Sequence, residues 1–130
     1  MIRAKNQVGK RFVTTFTNGE HVALSDVTPE KGGENLGFRP HELLEAALAT
    51  CMNMTVRMAA EKRGIDLAGV TVTVSLNRDN PETPIFEYGI EFQGDLTAEQ
   101  KERLTAVLKH CPVHKTLSQP LQFRFEEDGV

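Results

Sequence analysis

Two cysteines, Cys51 and Cys111, stand far apart in a chain of 130 residues. The thiolate is the nucleophilic and metal-binding form of cysteine, so the surroundings of each sulfur decide its chemistry. Cys51 lies among small and soft side chains, Ala49, Thr50, Met52 and Met54. Apolar surroundings raise a thiol pKa, so a reactive Cys51 needs a cation brought from elsewhere in the fold. Cys111 precedes Pro112, and Val113, His114 and Lys115 can continue from it as a short helix. Cys111 would then be an N-cap, where the helix dipole and Lys115 favour thiolate. Both residues read equally as buried, inert thiols, because free Cys is among the most buried residue types. His41, Cys51, Cys111 and His114 are also zinc-ligand types. Cys111-x-x-His114 makes a half-site, but no second tight pair accompanies it.

The elements that must position these residues follow from periodicity and turn chemistry. A strand is expected over Ile2–Gln7, turning at Gly9, and a second over Arg11–Phe16, which is β-branched and aromatic. Asn18-Gly19 signals a two-residue type I′ hairpin, with His21–Leu24 returning. Thr28–Gly37, with Pro29 and three glycines, is a loop. A long helix is expected from Pro40 to Arg63, closed by Gly64. Its middle, Ala46 to Met52, is apolar almost all round, which predicts burial on most sides. Val70–Leu76 and Phe86–Phe92 alternate as strands, separated by Asn80-Pro81. Thr97-Ala98-Glu99-Gln100 is a capping box, opening a helix that carries Leu104, Val107 and Leu108. Leu121, Phe123 and Phe125 alternate in an expected last strand. Antiparallel hairpins with segregated helices make the fold class α+β, in a single domain of residues 1–130. A second copy of the apolar helix would cover what one sheet cannot, so a homodimer is expected.

Composition narrows the function classes. Apolar residues are 39% and charged residues 25% of the chain, too apolar for a disordered protein. Seven Phe, one Tyr and no Trp supply few aromatic anchors. A net charge of −3 argues against nucleic-acid binding, which usually needs a basic excess. No apolar run is long enough to span a membrane. The N-terminal residues lack the apolar core of a signal peptide, so a cytoplasmic location is expected. There thiols are kept reduced, which gives weight to a catalytic, redox or metal role for the two cysteines.

The segment from Gly37-Phe38-Arg39-Pro40-His41-Glu42-Leu43-Leu44 to Cys51 resembles the helix-opening motif of the OsmC/Ohr family. This family comprises osmotically inducible protein C and the organic hydroperoxide resistance proteins. His110-Cys111-Pro112-Val113-His114-Lys115-Thr116-Leu117 resembles its second cysteine motif, and Asp26–Gly33 resembles its loop. The resemblance implies antiparallel strands wrapped around a long central helix in an intertwined dimer. It also implies a thiol peroxidase. Cys51 would attack an organic hydroperoxide, and its sulfenic acid would condense with Cys111 to a disulfide. An external dithiol, in the family often a lipoylated protein, would reduce that disulfide. No cofactor or metal is implied. Met52, Met54 and nearby Phe residues would supply apolar walls.

The sequence departs from the best-known peroxidase pattern at one position. Where that pattern places a Glu paired with an Arg of the N-terminal hairpin, this chain has His41, with Glu42 one residue later. On a helix His41 is about 80° around the axis from Cys51 and Glu42 about 180°, and both are some 15 Å along it. Either could reach a thiol only across a dimer. His41 could pair with a thiolate as imidazolium, or be an exposed first-turn residue. For the matching Arg, Lys10 and Arg11 occupy the corresponding turn, and Arg39 is a second candidate. Each is equally readable as a solvated surface cation. The site expected is Cys51, Cys111, Arg11 and His41. The rival is a non-enzymatic dimer that binds a small molecule in an apolar interface cavity.

Overall fold

Strands form where β-branched and aromatic residues alternate with polar ones, and the long helix forms where Ala and Leu accumulate. In the computed structural model, which describes residues 1–127, these patterns give an α+β chain. The chain makes two compact units, residues 1–43 with the C-terminal segment from Phe123, and residues 44–122. No helix among the described residues is long and apolar enough to cross a membrane.

The first unit holds an antiparallel sheet of β1 (Arg3–Asn6), β2 (Thr14–Thr17) and β3 (Val22–Ser25), with β2 in the middle. β2 starts later than expected. The Gln7 N–H donates to the Val13 carbonyl at 2.9 Å and closes a bend that takes Arg11 and Phe12 out of the ladder. The β2–β3 turn also differs from the expected type I′ turn. The last pair is Thr17↔Val22, which leaves four residues in the loop, and Asn18 does not adopt a positive φ. Its side chain makes the turn instead: Oδ1 accepts from the N–H groups of Glu20 at 3.0 Å and His21 at 2.8 Å. After β3 the chain passes Asp26, makes a short 3-10 turn over Pro29–Lys31, and returns so that Phe38 bridges Ser25.

The helix α1 (Pro40–Lys62) begins in the first unit and gives most of its length to the second. Its buried stripe is Leu48, Met52, Val56 and Ala60, one residue per turn. The expected burial on most sides is not met within the chain, where Met54 is 53% and Met58 66% exposed. A helix apolar all round buries only the side that meets other elements. That side faces the hairpin of β4 (Gly69–Asn77) and β5 (Ile85–Gln93) and the helix α2 (Ala98–Ala106). Val70, Val72 and Val74 turn toward this core, while Thr71, Thr73 and Ser75 are exposed. Two polar ties join α1 to the β4 backbone. Asn53 Nδ2 donates to the Val70 carbonyl at 2.9 Å, and the Leu76 N–H donates to Glu45 Oε1 at 2.7 Å.

The capping box of α2 forms as expected, with Gln100 N–H on Thr97 Oγ1 at 3.1 Å and Thr97 N–H on Gln100 Oε1 at 2.9 Å. A 3-10 turn, Leu108–His110, then leads through Cys111 into α3 (Pro112–Leu117). The expected last strand is not part of any ladder. Leu121, Phe123 and Phe125 are 53%, 96% and 87% exposed. A strand needs another strand's N–H and C=O groups, and no described strand offers them to this segment.

Candidate thiol site

Cys51 and Cys111 both lie in the second unit as two free thiols, with Cys51 packed against the core cluster that contains Cys111. Cys51 stands on α1 beside the buried stripe, next to the fully buried Met52, and is itself half-buried. Its carbonyl accepts from Thr55 Oγ1 at 2.8 Å. Cys111 belongs to the core and is 0% exposed. Its backbone ends one turn and starts the next. Its N–H donates to the Leu108 carbonyl at 3.1 Å, and its carbonyl accepts from the Lys115 N–H at 3.0 Å. Pro112 in the first position of α3 suits this switch, since its missing N–H would have had no helical partner.

The N-cap position of Cys111 matches expectation, but the expected thiolate does not follow. Burial pushes the Cys111 thiol up, and the neighbouring Cys51 side chain adds to that. The backbone N–H groups of His114 and Val113 pull the other way without cancelling this, and the Cys111 side chain makes no cap hydrogen bond. Lys115 is exposed. Cys111 therefore holds its proton at neutral pH.

His114, on α3, is half-buried, with its ring edge-on to Tyr88 at 6.2 Å between centroids and 89° between planes. Among the described residues no three His, Cys, Asp or Glu side chains converge as metal ligands, so the Cys111-x-x-His114 half-site stays a half-site. Met52 is fully buried, whereas Met54 is exposed and lines a shallow pocket with Ala49, Thr50, Asn53, Arg57 and Val72.

The other expected site residues lie in the first unit. His41 is exposed in the first turn of α1. Glu42 is engaged by Arg39, whose Nε donates to it at 2.8 Å and whose backbone N–H donates at 2.9 Å. The Arg39 side chain, with its backbone N–H, holds the Glu42 carboxyl below the ordinary range. This pair closes the N-terminus of α1. Lys10 Nζ pairs with Glu34 at 2.8 Å. Arg11 stacks on the Phe12 ring, 4.9 Å from its centroid, and among the described residues no carboxylate pairs with it. Sequence reasoning did not single out Glu45, Asn53 or Asp26. The signal for the first two was a polar side chain within an apolar helical run.

A family model described as OsmC-like protein matches residues 32–126. Among curated proteins no match is found. Solved structures do match. An organic hydroperoxide resistance protein OsmC from Legionella pneumophila is 26% identical, with a TM-score of 0.63 over 91% of this chain and 88% of that one. An OsmC-like protein from Mycoplasma pneumoniae is 20% identical, with a TM-score of 0.73 over 90% and 85%. The organic hydroperoxide resistance protein OhrB of Bacillus subtilis is 22% identical, with a TM-score of 0.58 over 91% and 89%. The last two bear on the fold alone. With the family model covering most of the sequence and both cysteine segments, the chain belongs to the OsmC-like protein family.

Proposed function

We propose that the protein is a thiol peroxidase that reduces organic hydroperoxides. The observation that carries this reading is a half-buried Cys51 packed against the core that holds a fully buried, protonated Cys111. The Cys51 thiolate attacks the distal peroxide oxygen and the O–O bond breaks. Cys51 becomes a sulfenic acid, and the leaving alkoxide takes a proton to become the alcohol. The Cys111 sulfur then attacks the sulfenic sulfur. An S–S bond forms, and water leaves with the hydroxyl oxygen and the Cys111 proton. An external dithiol, oxidised in turn to its disulfide, restores both thiols. The order of attack follows from exposure: peroxide reaches Cys51, while Cys111 waits beneath it.

On the family resemblance, Arg11 supplies the positive charge that favours the Cys51 thiolate, with His41 as a second cation. The family match spans both units, which supports one domain over residues 1–130. The exposed Met54 and Met58 of α1 and the unpaired segment 121–126 support a homodimer. A cytoplasmic location suits two thiols that must return to the reduced state.

The test is one equivalent of cumene hydroperoxide added to reduced protein, with free thiols and intact mass followed. The expected result is loss of both thiols and about 2 Da, the two hydrogens of a disulfide. Cys51→Ser should lose this response, and Cys111→Ser should stop at a sulfenic acid that dimedone traps. Unchanged thiols in excess peroxide would refute the peroxidase. The dimeric small-molecule-binding reading, favoured by His41 in place of the family Glu, would then stand.

A further inference from the structure

We propose that the segment Asp26–Leu36 is the mount that aims Arg11, with Gly32 as its seat and Asp26 as its lock. The inference rests on the reading above in which Arg11 sets the reactivity of Cys51. It assigns Gly32 and Asp26 as positioning residues.

The seat is defined by what a side chain at Gly32 would meet. A Cβ there would stand 2.6 Å from Arg11 Nη1, 3.1 Å from Arg11 Cζ and 3.4 Å from Phe12 Cε2. The guanidinium thus lies against the bare α-carbon of Gly32, and its cationic plane also meets the Phe12 ring. Gly32 ends the 3-10 turn with φ +85°, a conformation that side chains disfavour. Its neighbour Lys10 is paired with Glu34 of the same segment. That pair ties the Lys10–Arg11 bend to the mount and neutralises Lys10, whereas among the described residues no carboxylate pairs with Arg11.

The lock is the carboxylate of Asp26, 2% exposed. Oδ1 accepts from the Val27 N–H at 2.8 Å, and Oδ2 from the N–H groups of Glu34 at 3.0 Å and Leu36 at 3.2 Å. One side chain therefore holds both ends of the segment. Gly33 lets the strands of the loop close: a Cβ there would stand 2.0 Å from the Val27 carbonyl oxygen. Burial pushes the Asp26 carboxyl up, but the three N–H donors and the Lys10 charge outweigh it and hold it below the ordinary range.

The test follows alkylation of Cys51 by iodoacetamide as a function of pH, read by peptide mass. Arg11→Ala should slow it about tenfold near neutral pH, because the thiolate that the cation favours is the form that is alkylated. Gly32→Ala should slow it in the same direction, because the new methyl displaces the far end of the Arg11 side chain. Asp26→Asn should do so more weakly. Gly19→Ala is the control for backbone strain, since Gly19 also has positive φ (+102°) but a Cβ there meets nothing within 4 Å. It should leave alkylation unchanged. In an Arg11→Ala background Gly32→Ala should add nothing, as expected for two residues acting through one interaction. An equal loss in that background, or no loss beyond the Gly19→Ala control, overturns the mount. Alkylation unaffected by Arg11→Ala overturns it too, by removing what it would aim. The peroxidase reading is judged apart from this, by peroxide-driven disulfide formation in the unaltered protein.

Discussion

At Cys111 two local influences compete, and burial wins over the helix turn. The sequence reveals the N-cap, because Pro112 and the residues after it spell a helix start. It does not reveal that α2 and α1 would close over the sulfur, since burial depends on contacts between segments remote in the chain. The role of Glu42 is local by contrast: its partner Arg39 stands three residues away and claims it for the helix end. The raised Cys111 pKa has a direct readout. In reduced native protein at neutral pH, iodoacetamide should label Cys51 well ahead of Cys111, and the two should label alike in denaturant. Faster labelling of native Cys111 would contradict the burial argument.

Among the elements, legibility followed periodicity. β4, β5, α1 and the capping box of α2 could be read because each pattern is local and repeats. The Asn18-Gly19 turn was misread because an Asn side chain can supply turn hydrogen bonds without its backbone entering the left-handed region. The segment with Leu121, Phe123 and Phe125 has a strand's alternation, but pairing is a property of two segments. What the patterns missed was the docking of α1 on β4. Asn53→Ala removes the donor to the Val70 carbonyl in a half-buried site, and should cost about 1–3 kcal/mol. Thr97→Ala removes the cap of α2 and should cost about 1 kcal/mol. Leu104→Ala, at a fully buried position, should cost more than either, about 2–5 kcal/mol. Urea unfolding midpoints at constant m-value would rank the three, and a Leu104→Ala loss below that of Thr97→Ala would refute the assigned core.

For the whole molecule, Asp26 and Cys111 act at opposite ends of the pH scale. The Asp26 carboxyl is lowered in the folded chain. Its stabilisation is present above the unfolded value of about 3.9 and is lost as pH falls through the folded one. The Cys111 thiol is raised, so its contribution is present below the unfolded value of about 8.5 and is lost as pH rises through the folded one. Asp26→Asn should therefore flatten the acid limb of a stability–pH curve, and Cys111→Ala the alkaline limb. An acid limb that keeps its slope in Asp26→Asn would contradict the first. Sedimentation should give twice the mass of one chain. Truncation at Pro120, which removes the unpaired apolar segment, should lower that mass toward the monomer.

The edge contact between Tyr88 and His114 has an optical consequence. Tyr88 is the sole tyrosine, and the chain has no tryptophan. Its ultraviolet emission is therefore unmasked, and the ring sits against the third residue after Cys111. In the proposed cycle, a disulfide that draws Cys111 toward α1 should shift α3 and with it the distance and angle at this ring. The protein thus carries a fluorophore of its own beside α3, and oxidation of the two thiols should be readable in its emission without dye or label.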